Sequence, residues 1–327
     1  MTAPHIAAFT PRRVAEADAL GSVAARWLSH LAERGRAANT LAAYRRDLEQ
    51  LAGFLQGRGV ESVRDITAHL LEAFLSALLG GEGNAPRTVA RKMQSVEGFI
   101  KFAVARGLIP VQASPLLGAD LTISFQSAPP NPPATDALLR LINGIPADSP
   151  QGKRDRALFR LMFDTALRVS GLLSLDVFDA DAPPRCTVWP NGVVHYAAKG
   201  GAIKTAWCDT RTLAALQDWL AVRHALAKRD TGPALFLSNR GRRMTRGNMH
   251  HLIKQYGRAA GLPDVHCHLL RHRRIRDVLD ATDDIRLAQD LAGHGSIRTT
   301  LDIYGSRSAA ATRRKLAAVP LEPGEVA

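Results

Sequence analysis

Cysteine is scarce: Cys186, Cys208 and Cys267 are the only three in 327 residues. The number is odd and the positions are far apart, which excludes a disulfide framework and points to a reducing compartment. Long apolar runs are missing too. None approaches the roughly 18 residues of a membrane span, and the opening MTAPHIAAFTPRR has no apolar centre of the secretory-signal kind. A cytoplasmic, nucleoid-associated protein is expected. Acidic residues are in deficit, with 30 Asp and Glu against 43 Lys and Arg, a net charge of +13 and a pI near 10.4. A soluble chain this basic commonly meets a polyanion, nucleic acid above all. A basic surface kept for solubility is the plainer alternative.

At this length a single core stops growing, so two domains are expected. Residues 22–107 read as four helices. Val23, Trp27, Leu28 and Leu31 recur at helical spacing, as do Leu41, Tyr44, Leu48, Leu51 and Leu55 after an Asn39-Thr40 cap signal. Leu71, Phe74, Leu75 and Leu78 follow Thr67, and Val89, Met93, Val96 and Ile100 follow Pro86, which suits a first helical turn. Arg45, Arg46, Arg87, Arg91 and Lys92 lie on the polar faces, either as a solvated surface or as a face that tracks DNA phosphates. SAPPNPPATD, residues 127–136, holds four prolines that no helix or central strand would cross. The expected division is an extension over 1–21, a helical domain over 22–125, a proline-rich linker over 126–136 and a second domain over 137–327.

The second block mixes strands and helices. A helix ends near Asp164. Asn191-Gly192 between two β-rich runs signals a hairpin, and KGGAIKTAWCD turns into a third strand. Helices are expected at about 211–228, 245–260, 269–281, 284–292, 297–304 and 308–317.

Within this block Arg168 stands in the otherwise apolar TALRVSGLLSL, where a guanidinium calls for an anionic partner. Asp164 or Asp176 could be that partner. Lys199 lies at a glycine-flanked strand turn, as a plain surface lysine would. His268, Arg271 and His272 share one helix face. Zinc is a poor fit there, because Cys267 with His266 or His268 has no second ligand pair at the proper spacing. A solvated basic helix is the bland alternative, and Arg273, Arg274 and Arg276 suit it. Tyr304, at the end of LAGHGSIRTTLDIY, would by itself be a core residue.

Taken together these residues follow the order Arg, Lys, His-x-x-Arg, His, Tyr. That order resembles the tyrosine recombinase, or phage integrase, family. TALRVSGLLSL looks like the family's first arginine box, HLLRH like its second, and LAGHGSIRTTLDIY like its third. AAKGGAIK is similar to its β-hairpin lysine segment, with Lys204 close to Lys199. NTLAAYRRDLEQLAGFL and RTVARKMQSVEGFIKFAVARGLI resemble the helical core-binding domain of Xer-type members. The resemblance spans about residues 22–308.

It implies a mainly α fold with a small antiparallel β-sheet: a four-helix SAM-like core-binding domain followed by a mixed α+β catalytic domain. It implies Tyr304 as nucleophile, Arg168 and Arg271 on the phosphate oxygens and His268 as general base or relay. His294 becomes a hydrogen-bond donor and Lys199 the acid for the leaving 5′ oxygen. No cofactor or metal is implied. The implied partner is double-stranded DNA carrying a specific recombination site, bound by a homo- or hetero-tetramer on paired sites, with no membrane. Two departures stand out. Gly171 occupies a position where the family usually has Glu, and ten residues separate His294 from Tyr304, where strict Xer members have nine. Both favour the integration, excision or resolution enzyme of a mobile element. Dimer resolution of the Xer kind, a non-catalytic DNA-binding protein and a type IB topoisomerase-like relaxing enzyme are the alternatives.

Overall fold

The computed structural model describes residues 16–81, 83–124, 131–198, 201–229, 231–293 and 296–304. Lys199, His294, the expected tail helix at 308–317 and parts of the expected extension and linker lie outside these residues. The chain forms two compact units, one up to residue 127 and one from 128.

The first unit holds helices α1 (Leu20–Glu33), α2 (Ala38–Gln56), α3 (Ala68–Gly80) and α4 (Pro86–Ala105). Their apolar stripes turn inward and bury Val23, Leu51, Leu55, Leu71, Val96 and Ile100 almost completely. Trp27 stacks on Tyr44 at 5.3 Å between centroids and meets Phe99 edge-on at 6.1 Å. Gly98 lets α4 approach this indole, since a side-chain carbon there would lie 3.0 Å from Trp27 Cζ2. Thr67 caps α3 by accepting from the Leu70 N–H at 3.3 Å, and Pro86 opens α4. The Asn39-Thr40 signal does not cap α2, which already begins at Ala38 with Ala37 before it. Gly35, at φ +73°, ends α1 so tightly that α2 starts early and both residues fall in its first turn. Leu20 is buried inside α1, so the first unit begins within the expected extension.

One polar group is central to this unit. The buried Asp47 carboxylate accepts from Arg91 Nη1 (2.5 Å), Arg91 Nη2 (2.8 Å) and Ser95 Oγ (2.9 Å), joining α2 to α4. Asp47→Ala leaves the buried Ser95 hydroxyl without this acceptor, while the half-exposed Arg91 regains water. We expect a loss of about 1–3 kcal/mol, measured as the thermal unfolding of this unit. An unchanged midpoint would show that the network contributes nothing.

The second unit contains α5 (Thr135–Asn143), α6 (Pro150–Thr165), α7 (Val169–Leu173), β1 (Thr187–Val188), β2 (Val193–Ala197), β3 (Ile203–Trp207), α8 (Thr210–Val222), α9 (Arg246–Ala259), α10 (Cys267–Thr282), α11 (Ile285–Ala292) and α12 (Ile297–Tyr304). The sheet is antiparallel in the order β1-β2-β3, with Val193 opposite Trp207 and Ala197 opposite Ile203. The β1–β2 loop is Pro190-Asn191-Gly192, where only Gly192 is left-handed, at φ +86°. That is the three-residue hairpin form rather than a two-residue turn.

Helix α6 runs through the core, burying Ala157, Leu158, Phe159, Leu161 and Met162. Its Arg154–Asp155 ion pair (2.7 Å) is buried and fully engaged. Arg154 also donates to Leu237 O (2.8 Å), and Asp155 accepts from the Tyr256 hydroxyl at 2.8 Å. Two elements were not expected from the sequence. Helix α5 is nine residues long and starts inside the proline-rich segment, so positions 135 and 136 are helical. Helix α7 has five residues with Ser170-Gly171 within it, too short and too poor in helix formers to show a period. Among the described residues no helix is long and apolar enough to cross a membrane.

Candidate active site

The end of α6 sets the site. Ala166 follows it in the left-handed conformation (φ 51°, ψ 26°), which is unfavourable by roughly 1–2 kcal/mol for a residue with a side chain. This turn aims Ala166 O at Arg271 of α10, whose Nη1 donates to it. Arg271 Nη2 donates to Ala292 O, the last residue of α11. Arg271 is 3% exposed and fixed between two helix-end carbonyls. Two residues beyond Ala166, Arg168 sits at the N-terminus of α7, half-buried, with Nη1 3.5 Å from Gly293 O.

No described carboxylate pairs with Arg168. Asp164 accepts from Asp209 N (2.6 Å), Thr212 Oγ1 (3.0 Å) and Arg274, and Asp176 takes Arg243. The partners that a purely structural role would require are spent elsewhere. Burial, and then the neighbouring Arg168, pull the Arg271 pKa down to about 10. Arg271 remains charged at neutral pH and lies near the second guanidinium, that of Arg168.

Tyr304 ends α12 and is buried against Ala166, Ile275, Ala288 and Ala292. Its hydroxyl lies 2.5 Å from His272 Nδ1. The Arg276 guanidinium sits 5.8 Å from the centre of its ring. Burial pushes the Tyr304 pKa up to about 12, against the pull of Arg271, Arg276 and Arg168. The phenol therefore stays protonated unless a neighbouring acceptor takes its proton. His268 does not hold that place. Its ring packs edge-on against His272, with centroids 4.3 Å apart. His268 sits one helical turn before His272 and reaches the phenol only through it. The His268 pKa is lowered, first by loss of water around the ring and then by Arg271, His266 and Arg168.

The flank of α10 is tied inward. Arg273 bonds Asp277 and Thr135 Oγ1, and Arg274 reaches Asp164 O at 3.1 Å. An expectation from charge alone would send these arginines outward; intramolecular partners hold them. A cleft of about 650 Å³ opens beside Arg168 and His268, lined also by Arg246, His250, Lys254 and His266. Arg246, His250 and Lys254 recur every four residues along α9. That one-face spacing was present in the sequence and passed unread. In the first unit Arg45, Arg46 and Arg87 are exposed. Arg91 is held by Asp47, and Lys92 by Gln50 (2.9 Å) and Asn84 (3.3 Å).

Comparison with known proteins gives these features their setting. The model of the phage integrase family matches residues 134–310, and that of the phage integrase N-terminal SAM-like domain matches residues 24–107. Tyrosine recombinase XerC of Roseiflexus castenholzii is 35% identical over 283 residues, covering 84% of this chain and 85% of that protein. Tyrosine recombinase XerD of Mycobacterium leprae is 33% identical over 291 residues, covering 82% and 87%. In fold, the chain is similar to the XerH site-specific recombinase in a post-cleavage complex with difH substrate (TM-score 0.70, 21% identity, 87% and 80% coverage). It is equally similar to the Tn1549 transposon integrase in complex with circular intermediate DNA (TM-score 0.71, 16% identity, 92% and 100% coverage). A helical SAM-like unit and a unit that gathers paired arginines around a buried tyrosine define an enzyme that breaks and rejoins DNA strands. The chain belongs to the phage integrase family, the tyrosine recombinases.

Proposed function

We propose that Tyr304 is the nucleophile of a site-specific recombinase that acts on double-stranded DNA as a tetramer on paired sites. The observation that carries this reading is the Tyr304 hydroxyl at 2.5 Å from His272 Nδ1, in the same pocket as Arg168 and Arg271. The phenolic oxygen attacks the scissile phosphorus, and its proton passes to His272 with the Nδ1 lone pair free. Negative charge grows on the non-bridging oxygens, where Arg168 and Arg271 stabilise it by charge-assisted hydrogen bonds. The 5′ oxygen leaves with a proton, for which Lys199 is the candidate donor, and His294 is the candidate further donor to the phosphate. The product is a 3′-phosphotyrosyl bond, which conserves the phosphodiester energy so that a 5′ hydroxyl can reverse the step on a new partner strand. Arg45, Arg46 and Arg87 would supply backbone contacts with the salt dependence of phosphate binding. The chemistry belongs in the cytoplasm, at the nucleoid.

The test begins with duplexes that the chain retains from fragmented DNA. A nick placed near the scissile position traps the intermediate, and a denaturing gel shows the covalent adduct. A retained duplex that never yields an adduct would leave only a DNA-binding protein on this fold. Service to a mobile element fits Gly171 and the ten-residue interval from His294 to Tyr304. Dimer resolution fits the XerC and XerD relatives. Recombination of two sites by this chain alone, with no second recombinase, favours the first.

His268 gives a pH expectation. Its lowered pKa keeps the ring neutral at and below the ordinary histidine value of about 6.5. Adduct formation should be level from pH 8 to about 6.5 and fall only below that. The unfolded chain binds the proton more readily, so stability also declines as pH drops through about 6.5. A rate already half lost at pH 7 would mean that the profile follows His272 and not His268.

A further inference from the structure

Three polar groups converge beside Gly293. A side-chain carbon built on that glycine would lie 3.5 Å from Arg168 Nη1, 3.7 Å from the Tyr196 hydroxyl and 3.9 Å from Lys204 Nζ. The three groups come from the start of α7, from β2 and from β3. Tyr196 and Lys204 are directly opposite one another across the strand pair, so both side chains rise from the same face of the sheet. Gly293 ends α11 in the left-handed conformation at φ +51°, which favours a residue without a side chain.

Tyr196 is 8% exposed, yet its hydroxyl has no hydrogen-bond partner among the described residues. The phenol oxygen is not itself a buried unpaired atom, so it is open to water or to a ligand. With a guanidinium on one side and an ammonium on the other, the partner that fits is an anionic oxygen. The ring is seated by another glycine. A side-chain carbon on Gly171 would come within 3.0 Å of Tyr196 Cδ2 and 3.4 Å of Ala197 O. Any larger residue at 171 would displace the ring. Gly171 and Tyr196 thus form one arrangement, in which an aromatic side chain from the sheet occupies space that α7 leaves open.

We propose that Tyr196 donates a hydrogen bond to a non-bridging oxygen of the scissile phosphate, completing with Arg168 and Lys204 an anion site over Gly293. This rests on the recombinase reading above and adds a catalytic residue to it. The phenol stays protonated there, because burial raises its pKa while Arg271 and Arg168 only partly oppose that rise. It acts as a donor and takes no part in proton transfer.

The experiment uses the full chain on a nicked duplex that gives the wild-type adduct. Tyr196→Phe keeps the ring and removes the donor; Tyr196→Leu removes both. A hydrogen bond to a charged group corresponds to about tenfold to a hundredfold in rate. We expect Tyr196→Phe to slow adduct formation by that factor, with DNA affinity and unfolding midpoint unchanged and Tyr196→Leu little slower. Gly171→Ala, which pushes the ring aside, should slow the reaction too and add little in the Tyr196→Phe background. If Tyr196→Phe reacts within threefold of wild type while Tyr196→Leu fails, the ring merely packs and the proposal is overturned. Full additivity of Gly171→Ala with Tyr196→Phe would overturn it as well. A wild-type chain that forms no adduct would instead overturn the nucleophile reading, a separate result.

Discussion

Tyr304→Phe is expected to bind the retained duplex as the wild type does and to form no covalent adduct at all. The substitution keeps the ring that packs against Ala166, Ile275 and Ala292. It removes the oxygen that lies 2.5 Å from His272 Nδ1. The fold should survive, because the lost hydrogen bond contributes on the order of 1 kcal/mol. The chemistry should not, because the oxygen that would attack in the proposed reaction is gone. The denaturing gel separates the outcomes: an adduct with the phenylalanine variant would mean that the nucleophile lies elsewhere. A pH series on the wild type adds a check. The phenol is held near 12, so the rate should depend on the imidazoles and not on a tyrosinate present in solution.

Arg271 should give the second large effect, and it should appear in two measurements. Its guanidinium bridges Ala166 O and Ala292 O, two carbonyls that end different helices. Arg271→Lys keeps a charge but cannot span both acceptors in a planar fork. At least one buried carbonyl is then unpaired, which destabilises by about 1–3 kcal/mol. Arg271→Ala loses both, for about 2–5 kcal/mol. Adduct formation should fall by roughly a hundredfold or more in either variant, the scale of losing one preorganised donor to a developing oxyanion. Thermal unfolding and the adduct assay together distinguish the roles. A lysine variant that melts like wild type yet reacts slowly would make Arg271 a purely catalytic group. One that melts early yet reacts normally would make it purely structural.

The family of the second unit was largely legible because its motifs lie in short, dense segments. The boxes around Arg168, Arg271 and Tyr304 name residue types that an apolar stretch would not otherwise tolerate. Helices α9 to α12 also fell within about two residues of their expected bounds, since their apolar periods are strong. Other features depend on tertiary structure and were not legible. The left-handed Ala166 is an ordinary residue in the sequence, and only the packing of α6 against α10 requires its turn. Spacing put His272 on one face with His268 and Arg271, but its contact with Tyr304 exists only once α12 is in place. Tyr196 and Gly171 are 25 positions apart, and nothing in either neighbourhood says that one ring fills the other's space. Arg91 read as a residue of a polar face for the same reason, since its partner Asp47 lies 44 positions away.

Thr135 is the first residue of α5 and follows directly on the proline-rich stretch. Its hydroxyl donates to Asp277 Oδ2 at 2.7 Å and accepts from Arg273 Nε at 2.9 Å. Both partners are on α10, on the C-terminal side of His268 and Arg271. The place where the chain enters the second unit is therefore mechanically fastened to the helix that carries His268, Arg271 and His272. Tension along the incoming segment arrives first at a two-point anchor on that helix, ahead of the hydrophobic core.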